Sequence, residues 1–377
     1  MKGAILGVGL LLCTLGGTSV ADTKRAVGTM PACAQSVGGL SFICGVVNPE
    51  DLVRIPDSRW LIASEYDPGG GFPAGTGLKL VDSLAKSAAS LYSDATRQSK
   101  LDQDRYPDCP TPPDPSKLVT HGLYLRDTDN KSVFTLYAVS HSPREAIQIF
   151  ELDLGGKMPA AYWTGCVLLP ADIKGNGVVS FRDGAILVTA LRVPNLRTAR
   201  GLPAGAVFQW KPGDANFRQV PGTELPADNG IELSKDEGEF YVIGFGDATV
   251  YVFSRADPSN PLRSAKAPGF VPDNLRWSGD LLIATGPMYD EPACGGTREQ
   301  ALRTQGAEAR KPGGGCNRGY ISAALNPANM TWKIIAYGEP NPQMGIIATG
   351  LIVDRTLWIG AGLSPGLAYR DLPGTGK

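Results

Sequence analysis

Apolar and polar residues alternate along much of the chain with a period of two, which is the pattern of half-buried β-strands. Six segments share one form, in which a polar residue precedes an apolar strand, a short polar turn and a second apolar strand. They span residues 50–64, 121–139, 176–189, 229–243, 273–284 and 345–359. Turns such as Asp183-Gly184 favour a tight hairpin connection, so each segment is predicted to form a β-hairpin.

The hairpins recur at intervals of about 45 to 75 residues, a spacing typical of a propeller. Further strand candidates at 146–152, 205–210 and 249–253 would complete four-stranded blades. The sequence therefore predicts an all-β fold, a six-bladed β-propeller with loop insertions, forming a single domain over residues 22–377. The insertions are expected at 68–116 and 287–319, with a helix at 82–95 inside the first.

The N-terminus has the features of an export signal. Lys2 is followed by an apolar stretch at 4–15 and by small residues at 19–21, which predicts a signal peptide over 1–21. Six of the seven cysteines lie beyond it, an even number that suits an oxidising compartment. We expect nearest neighbours to pair, above all Cys33 with Cys44 and Cys294 with Cys316. The protein is thus expected to be secreted or periplasmic, without a transmembrane segment.

Charge and motifs exclude several function classes. Lys and Arg number 36 against 37 Asp and Glu, and the basic residues are dispersed, so the chain has no electrostatic footprint for nucleic acid or an acidic membrane. A G-x-S-x-G nucleophile motif is absent, and the glycine-rich loops lack the Lys-Ser/Thr pair of a phosphate-binding loop. We expect a monomer that acts on a small molecule.

The first residues of the hairpins carry the candidate chemistry. Innermost strands of a propeller line its channel, so these residues should converge at one end. They are Glu50, His121, Asn176, Asn229 and Asn274 with Asp273 beside it, whereas the sixth start, near Ala348 and Thr349, lacks a strong ligand. Carboxylate and amide oxygens suit calcium better than zinc. Asn-Gly and Asp-Asn pairs are also ordinary turn dipeptides, but their shared position in the repeat favours a metal site.

Several of these segments resemble the paraoxonase/arylesterase family. More distantly they are similar to the senescence-marker-protein/gluconolactonase and strictosidine-synthase propellers. The resemblance covers most of the mature chain and depends on the order and spacing of the motifs. The segments that carry it are Asn48-Pro-Glu-Asp-Leu-Val-Arg-Ile-Pro, His121-Gly-Leu, Tyr137-Ala-Val-Ser-His141, Asn176-Gly-Val-Val, Asp228-Asn-Gly-Ile-Glu-Leu-Ser and Val271-Pro-Asp-Asn-Leu.

The resemblance implies two calcium sites and a histidine dyad. Asp51 and the backbone carbonyl of Leu123 would bind a second, structural ion, and His121 and His141 would form the dyad. The sequence departs from the family at Gly177, where paraoxonases have an aspartate, so the second ion lacks one charged ligand. The sequence also has no cysteine near its C-terminus, so strand pairing must close the ring of blades. The catalytic calcium would be held by Glu50, Asn176, Asn229, Asp273 and Asn274.

Such a site suggests calcium-dependent hydrolysis of lactones or aryl esters. Calcium would polarise the carbonyl, and His121 could accept a proton from water at neutral pH. His141 either orients His121 and passes the proton on or is a structural residue at a strand end, and Asp273 is a competing base or nucleophile. Two alternatives remain: non-hydrolytic chemistry like that of strictosidine synthase, and a noncatalytic, calcium-stabilised binding propeller.

Overall fold

The computed structural model describes residues 30–69, 72–199, 201–291, 296–297 and 318–373. Regular structure in these ranges consists of β-strands, arranged as six sheets of four or five strands and one small two-stranded sheet. The predicted signal peptide and the Cys294–Cys316 pair lie outside the described residues. The first strands described are β1 (Ser36–Val37) and β2 (Leu40–Cys44).

The next three sheets follow one another along the chain as blades 1 to 3. Blade 1 contains β3 (Leu52–Arg54), β4 (Trp60–Ser64), β5 (Leu78–Asp82) and β6 (Ser87–Tyr92). Blade 2 contains β7 (Gln98–Ser99) as its outermost strand, with β8 (Val119–Asp127), β9 (Val133–Ser142), β10 (Ala146–Asp153) and β11 (Ala160–Leu168). Blade 3 contains β12 (Val178–Ser180), β13 (Ile186–Ala190), β14 (Ala206–Trp210) and β15 (Arg218–Gln219).

Blades 4 to 6 complete the molecule. Blade 4 contains β16 (Asp228–Leu233), β17 (Glu239–Gly244), β18 (Thr249–Ser254) and β19 (Pro261–Lys266). Blade 5 contains β20 (Asn274–Ser278) and β21 (Leu281–Pro287), then, after the small sheet of β22 (Asp290–Glu291) and β23 (Gly296–Thr297), β24 (Tyr320–Asn326) and β25 (Thr331–Gly338). Blade 6 contains β26 (Gly345–Val353), β27 (Thr356–Leu363) and β28 (Gly366–Asp371).

Strand pairing closes the ring, as the sequence predicts. The early strand β2 pairs antiparallel with β28, for example Ser41 with Tyr369, and so becomes part of blade 6. A disulfide from Cys33 to Cys44 fastens the segment before β1 to the end of β2. The expected pairing of nearest-neighbour cysteines is confirmed there and for Cys109 with Cys166.

Hydrophobic side chains are buried between the blades. The described residues form six clusters, and each fills the space between two neighbouring sheets, including blades 6 and 1. Trp163 is fully buried between blades 1 and 2, and Trp358 between blades 6 and 1. Burying a Leu, Ile or Phe side chain contributes about 1.5–3 kcal/mol, so the many such residues packed between the blades stabilise the closed six-bladed propeller.

All six predicted hairpins are confirmed, and so are the three predicted partner strands, which correspond to β10, β14 and β18. The helix predicted at 82–95 is wrong, because this segment ends β5, turns and forms β6. Pairing with β5 and burial of Leu91 and Tyr92 override the helical propensity of its alanines. The prediction of a simple insertion at 68–116 is also wrong, since it contains the two outer strands of blade 1. No helix in the described ranges is long and apolar enough to cross a membrane.

Candidate active site

The predicted site residues lie at one end of the channel, where the strands β8 and β16 are irregular. In β8 the pairing register shifts between Thr120 and Leu123, the stretch that contains His121. In β16 it shifts between Asp228 and Ile231, the stretch that contains Asn229. A bulge of this kind re-aims a side chain that a regular strand would direct elsewhere. Among the predicted site residues His141 is partly exposed. The others are buried, namely Glu50, Asp51, His121, Leu123, Asn176, Asn229, Asp273 and Asn274.

Hydrogen bonds connect the six blades into a ring at this end. Each bond passes from one blade to the next, and several use the backbone of a predicted ligand, which leaves its side chain available. In order from blade 1, the pairs are Thr120 N with Glu65 O (3.0 Å), Gly122 N with Asn176 O (3.1 Å), Thr189 Oγ1 with Asn229 O, Gly230 N with Asp273 O (2.9 Å), Asn274 Nδ2 with Thr349 Oγ1 (3.0 Å) and Thr349 Oγ1 with Glu50 O (2.8 Å).

Glycine allows the strands to approach this closely. A Cβ atom on Gly122 would lie 2.2 Å from the carbonyl oxygen of Asn176, and one on Gly230 would lie 2.4 Å from that of Asp273. Both distances are far inside van der Waals contact with backbone that cannot move aside. The Asn229-Gly230 pair therefore lies inside a strand, at a blade contact, and does not form a turn.

The two histidines form a hydrogen-bonded chain with a glutamate. Nδ1 of His121 lies 2.9 Å from Nε2 of His141. Nδ1 of His141 lies 3.0 and 2.9 Å from the carboxylate oxygens of Glu145, in the turn between β9 and β10. At the other end, Nε2 of His121 is 3.5 Å from Oε2 of Glu50. Three titratable side chains, those of His121, His141 and Glu145, thus form a chain that begins beside the predicted metal ligand Glu50.

The partners determine which ring nitrogens carry protons. An ionised Glu145 only accepts hydrogen bonds, so a neutral His141 must donate from Nδ1 and accept at Nε2. His121 then donates from Nδ1, which leaves the lone pair on its Nε2. This assignment follows from the hydrogen-bond partners. It places the basic nitrogen of the chain beside Glu50.

Burial controls the charges of these groups. It lowers the pKa of His121 to about 4, against the opposing effect of Asp51 and Glu145, and it lowers the pKa of His141 as well. Burial together with the charge of Asp51 raises the pKa of Glu50 to about 8. Both imidazoles are therefore neutral at pH 7, and Glu50 holds a proton unless a cation stabilises its ionised form.

Unpartnered oxygen atoms fit a cation at the first predicted site. Oε2 of Glu50 and Oδ1 of Asn229 are buried, and among the described residues neither has a hydrogen-bond partner. Leaving such atoms unsatisfied is costly, and an oxygen-seeking cation would satisfy both. No group of three or more His, Cys, Asp or Glu side chains in the described ranges could hold a metal. The fit consequently depends on amide oxygens beside Glu50 and Asp273.

The second predicted calcium site does not fit the residues present. Asp51 Oδ2 accepts hydrogen bonds from the guanidinium of Arg276 and from the backbone N of Leu123, the latter at 2.7 Å. The Leu123 carbonyl, the other expected ligand, accepts from Arg276 Nη2 at 3.0 Å. Both expected ligands are therefore engaged by a side chain that already carries a positive charge.

Four residues of this region were not predicted to belong to the site. Glu145 follows His141 by four residues, which is a signal that a short turn could join them. Tyr66 is half-buried, and its ring centroid lies 4.4 Å from that of His121. Arg276 lies two residues after Asn274 in β20, so the two side chains are on the same face of the strand. Thr349, at the start predicted to be weak, contacts Glu50, Asp51 and Asn274.

No protein-family model and no curated protein matches this chain. Among solved structures, a gluconolactonase from Xanthomonas campestris is 17% identical to this chain, with a TM-score of 0.48. The match covers 93% of this chain and 96% of the gluconolactonase chain. A putative gluconolactonase is 14% identical over 90% of this chain and 96% of its own, with a TM-score of 0.48. A luciferin-regenerating enzyme is 11% identical with the same coverage and TM-score. The resemblance to paraoxonases stays a prediction.

Proposed function

We propose that the protein is a calcium-dependent hydrolase of lactones or aryl esters. The observation that carries the proposal is the chain His121–His141–Glu145, whose basic end lies beside an unpartnered carboxylate oxygen of Glu50. Glu50, Asn176, Asn229, Asp273 and Asn274 would hold one calcium ion. When bound, that ion would polarise the scissile carbonyl and stabilise the negative charge that develops on its oxygen.

The residues of the chain supply the base and its support. His121 accepts a proton at Nε2 from the attacking water, and its Nδ1–H remains bonded to His141. Glu145 keeps His141 in the tautomer that accepts this bond, and its charge stabilises the cation that forms on the imidazole pair. The ring of Tyr66 packs against His121 and restricts its orientation. Asp273 is the alternative base, since it lies next to Asn274 at the same end of the channel.

Hydrolysis assays on protein with and without calcium test the proposal. Protein treated with chelator and then supplied with calcium is assayed on a panel of γ- and δ-lactones and phenyl esters. Turnover that chelation abolishes and calcium restores supports it. Folded, calcium-loaded protein without turnover on the panel contradicts it and favours a noncatalytic binding propeller.

A further inference from the structure

Arg276 is a buried arginine in the centre of the channel. It lies in β20 two residues after Asn274, so both side chains point to the channel. Its Nε donates to the carbonyl oxygen of Leu52 (2.7 Å), and its Nη2 donates to that of Leu123 (3.0 Å) and to Oδ2 of Asp51. One guanidinium thus joins the innermost strands of blades 1, 2 and 5.

Most of the acceptor capacity of Asp51 is used in this arrangement. Three donors approach its carboxylate: the backbone N of Leu52 (2.8 Å), the backbone N of Leu123 (2.7 Å) and the guanidinium of Arg276. The hydroxyl of Thr349 also lies 3.0 Å from Oδ1, and its single proton is directed either there or to the carbonyl oxygen of Glu50. A metal ion could bind Asp51 only by displacing some of these donors.

The charges around Asp51 are already balanced in part by Arg276. Glu232 is a second carboxylate at ion-pair distance, with Oε2 3.9 Å from Nη1 of Arg276. Gly177 contributes no ligand, and a Cβ atom there would lie 3.1 Å from the backbone N of Ile231. The positive charge of Arg276 would repel a divalent ion at the Asp51 carboxylate, in a buried region where such repulsion is strong.

Arg276 also separates the two ends of the channel. It lines a cavity of about 430 Å³ at the end opposite the histidines, together with Tyr124, Glu232 and Trp277. Glu50 and His121 are not among the lining residues of that cavity. The guanidinium therefore lies between this cavity and the candidate active site.

We propose that Arg276 takes the place of a second divalent ion as the internal cation of the channel. It is a positioning residue: it fixes Asp51 and, through the backbone, the neighbouring Glu50. The chain consequently holds a single calcium ion, a corollary that rests on the proposed function, whereas the role of Arg276 does not. Because the guanidinium of Arg276 is part of the chain, it keeps the inner strands connected when calcium is removed.

Calcium stoichiometry is the first test. Equilibrium dialysis with calcium alone, followed by elemental analysis, should give one ion per chain for the wild type at saturation and no more than one for Glu50→Gln. Two ions per chain in the wild type would overturn the proposal. A wild type without calcium agrees with the role of Arg276 but contradicts the proposed function, so the two failures are distinguishable.

A double-mutant cycle is the second test and needs no metal. Asp51→Asn and Arg276→Gln each leave a buried partner unpaired, so each should lower the unfolding midpoint measured in chelator. The double variant should lose clearly less than the sum of the two losses. The matched cycle of Glu239→Gln and Arg263→Gln, a partly exposed bidentate pair, should be close to additive. Additive losses for Asp51 and Arg276 would overturn the proposal.

Discussion

Nδ1 of His121 lies 2.9 Å from Nε2 of His141, so the two histidines of the chain meet at one hydrogen bond. The bond joins the innermost strand of blade 2 to the strand next to it and continues to Glu145. A hydrogen-bonded imidazole pair that ends on a carboxylate has a defined direction, because the carboxylate can only accept and each ring must therefore donate towards it. The free lone pair is thereby placed at the channel end, beside Glu50.

Glu145 should matter for turnover without contact with substrate. Glu145→Gln removes the charge that holds His141 in its tautomer and stabilises its protonated form. We expect kcat to fall roughly tenfold, less than for loss of a general base, with KM little changed. Steady-state kinetics on the best lactone of the panel checks this.

The control for that experiment is Glu151→Gln in the same blade. Glu151 forms an ion pair with Lys100 at the protein surface and should not affect kcat. Equal kinetics for Glu145→Gln and the wild type would mean that the glutamate does not support the histidines.

Replacement of Gly230 by alanine should destabilise the fold. The new Cβ atom would lie 2.4 Å from the carbonyl oxygen of Asp273, so blades 4 and 5 would have to separate. Such overpacking costs about 1–3 kcal/mol in the free energy of unfolding. Gly238→Ala, in the turn of the same hairpin, meets no atom closer than 3.5 Å and is the control. Denaturant unfolding that gives equal losses for both variants would refute the close-approach account.

Calcium affinity should rise with pH. Burial raises the pKa of Glu50 to about 8, so below that pH a cation must displace a proton from the carboxyl group. The affinity should therefore increase about tenfold per pH unit up to pH 8 and then level off. Calorimetric titration at several pH values measures it.

The variant Glu50→Gln has no proton to displace and serves as the comparison. It should bind calcium more weakly, and its affinity should not follow this pH dependence. A wild-type affinity that stays constant over the same range would show that Glu50 is not a ligand.

Sequence predicted the blades well because strand alternation is a local pattern. The hairpin starts at Glu50, His121, Asn176, Asn229 and Asn274 could be aligned by their position in the repeat alone. The outer strand β6 was missed because pairing with β5 and burial of its end decide its structure, and neither is visible in its composition.

The site beyond the hairpin starts depends on contacts between distant segments. Arg276 and Asp51 are separated by 225 positions, so no local pattern could pair them. Glu145 is only four residues from His141, but the turn between them determines that the two side chains meet. Gly177 alone indicated that the second calcium site is incomplete, and the guanidinium of Arg276 supplies the physical reason.

The role of His121 is tested by kcat/KM for lactone hydrolysis by His121→Gln, measured together with the calcium content of the variant. Loss of the base should lower kcat/KM by about a hundredfold or more while one calcium ion stays bound. Asp273→Asn, which alters a proposed ligand, should instead bind calcium more weakly. A His121→Gln variant that keeps wild-type kcat/KM with calcium bound would show that His121 is not the base and would point to Asp273.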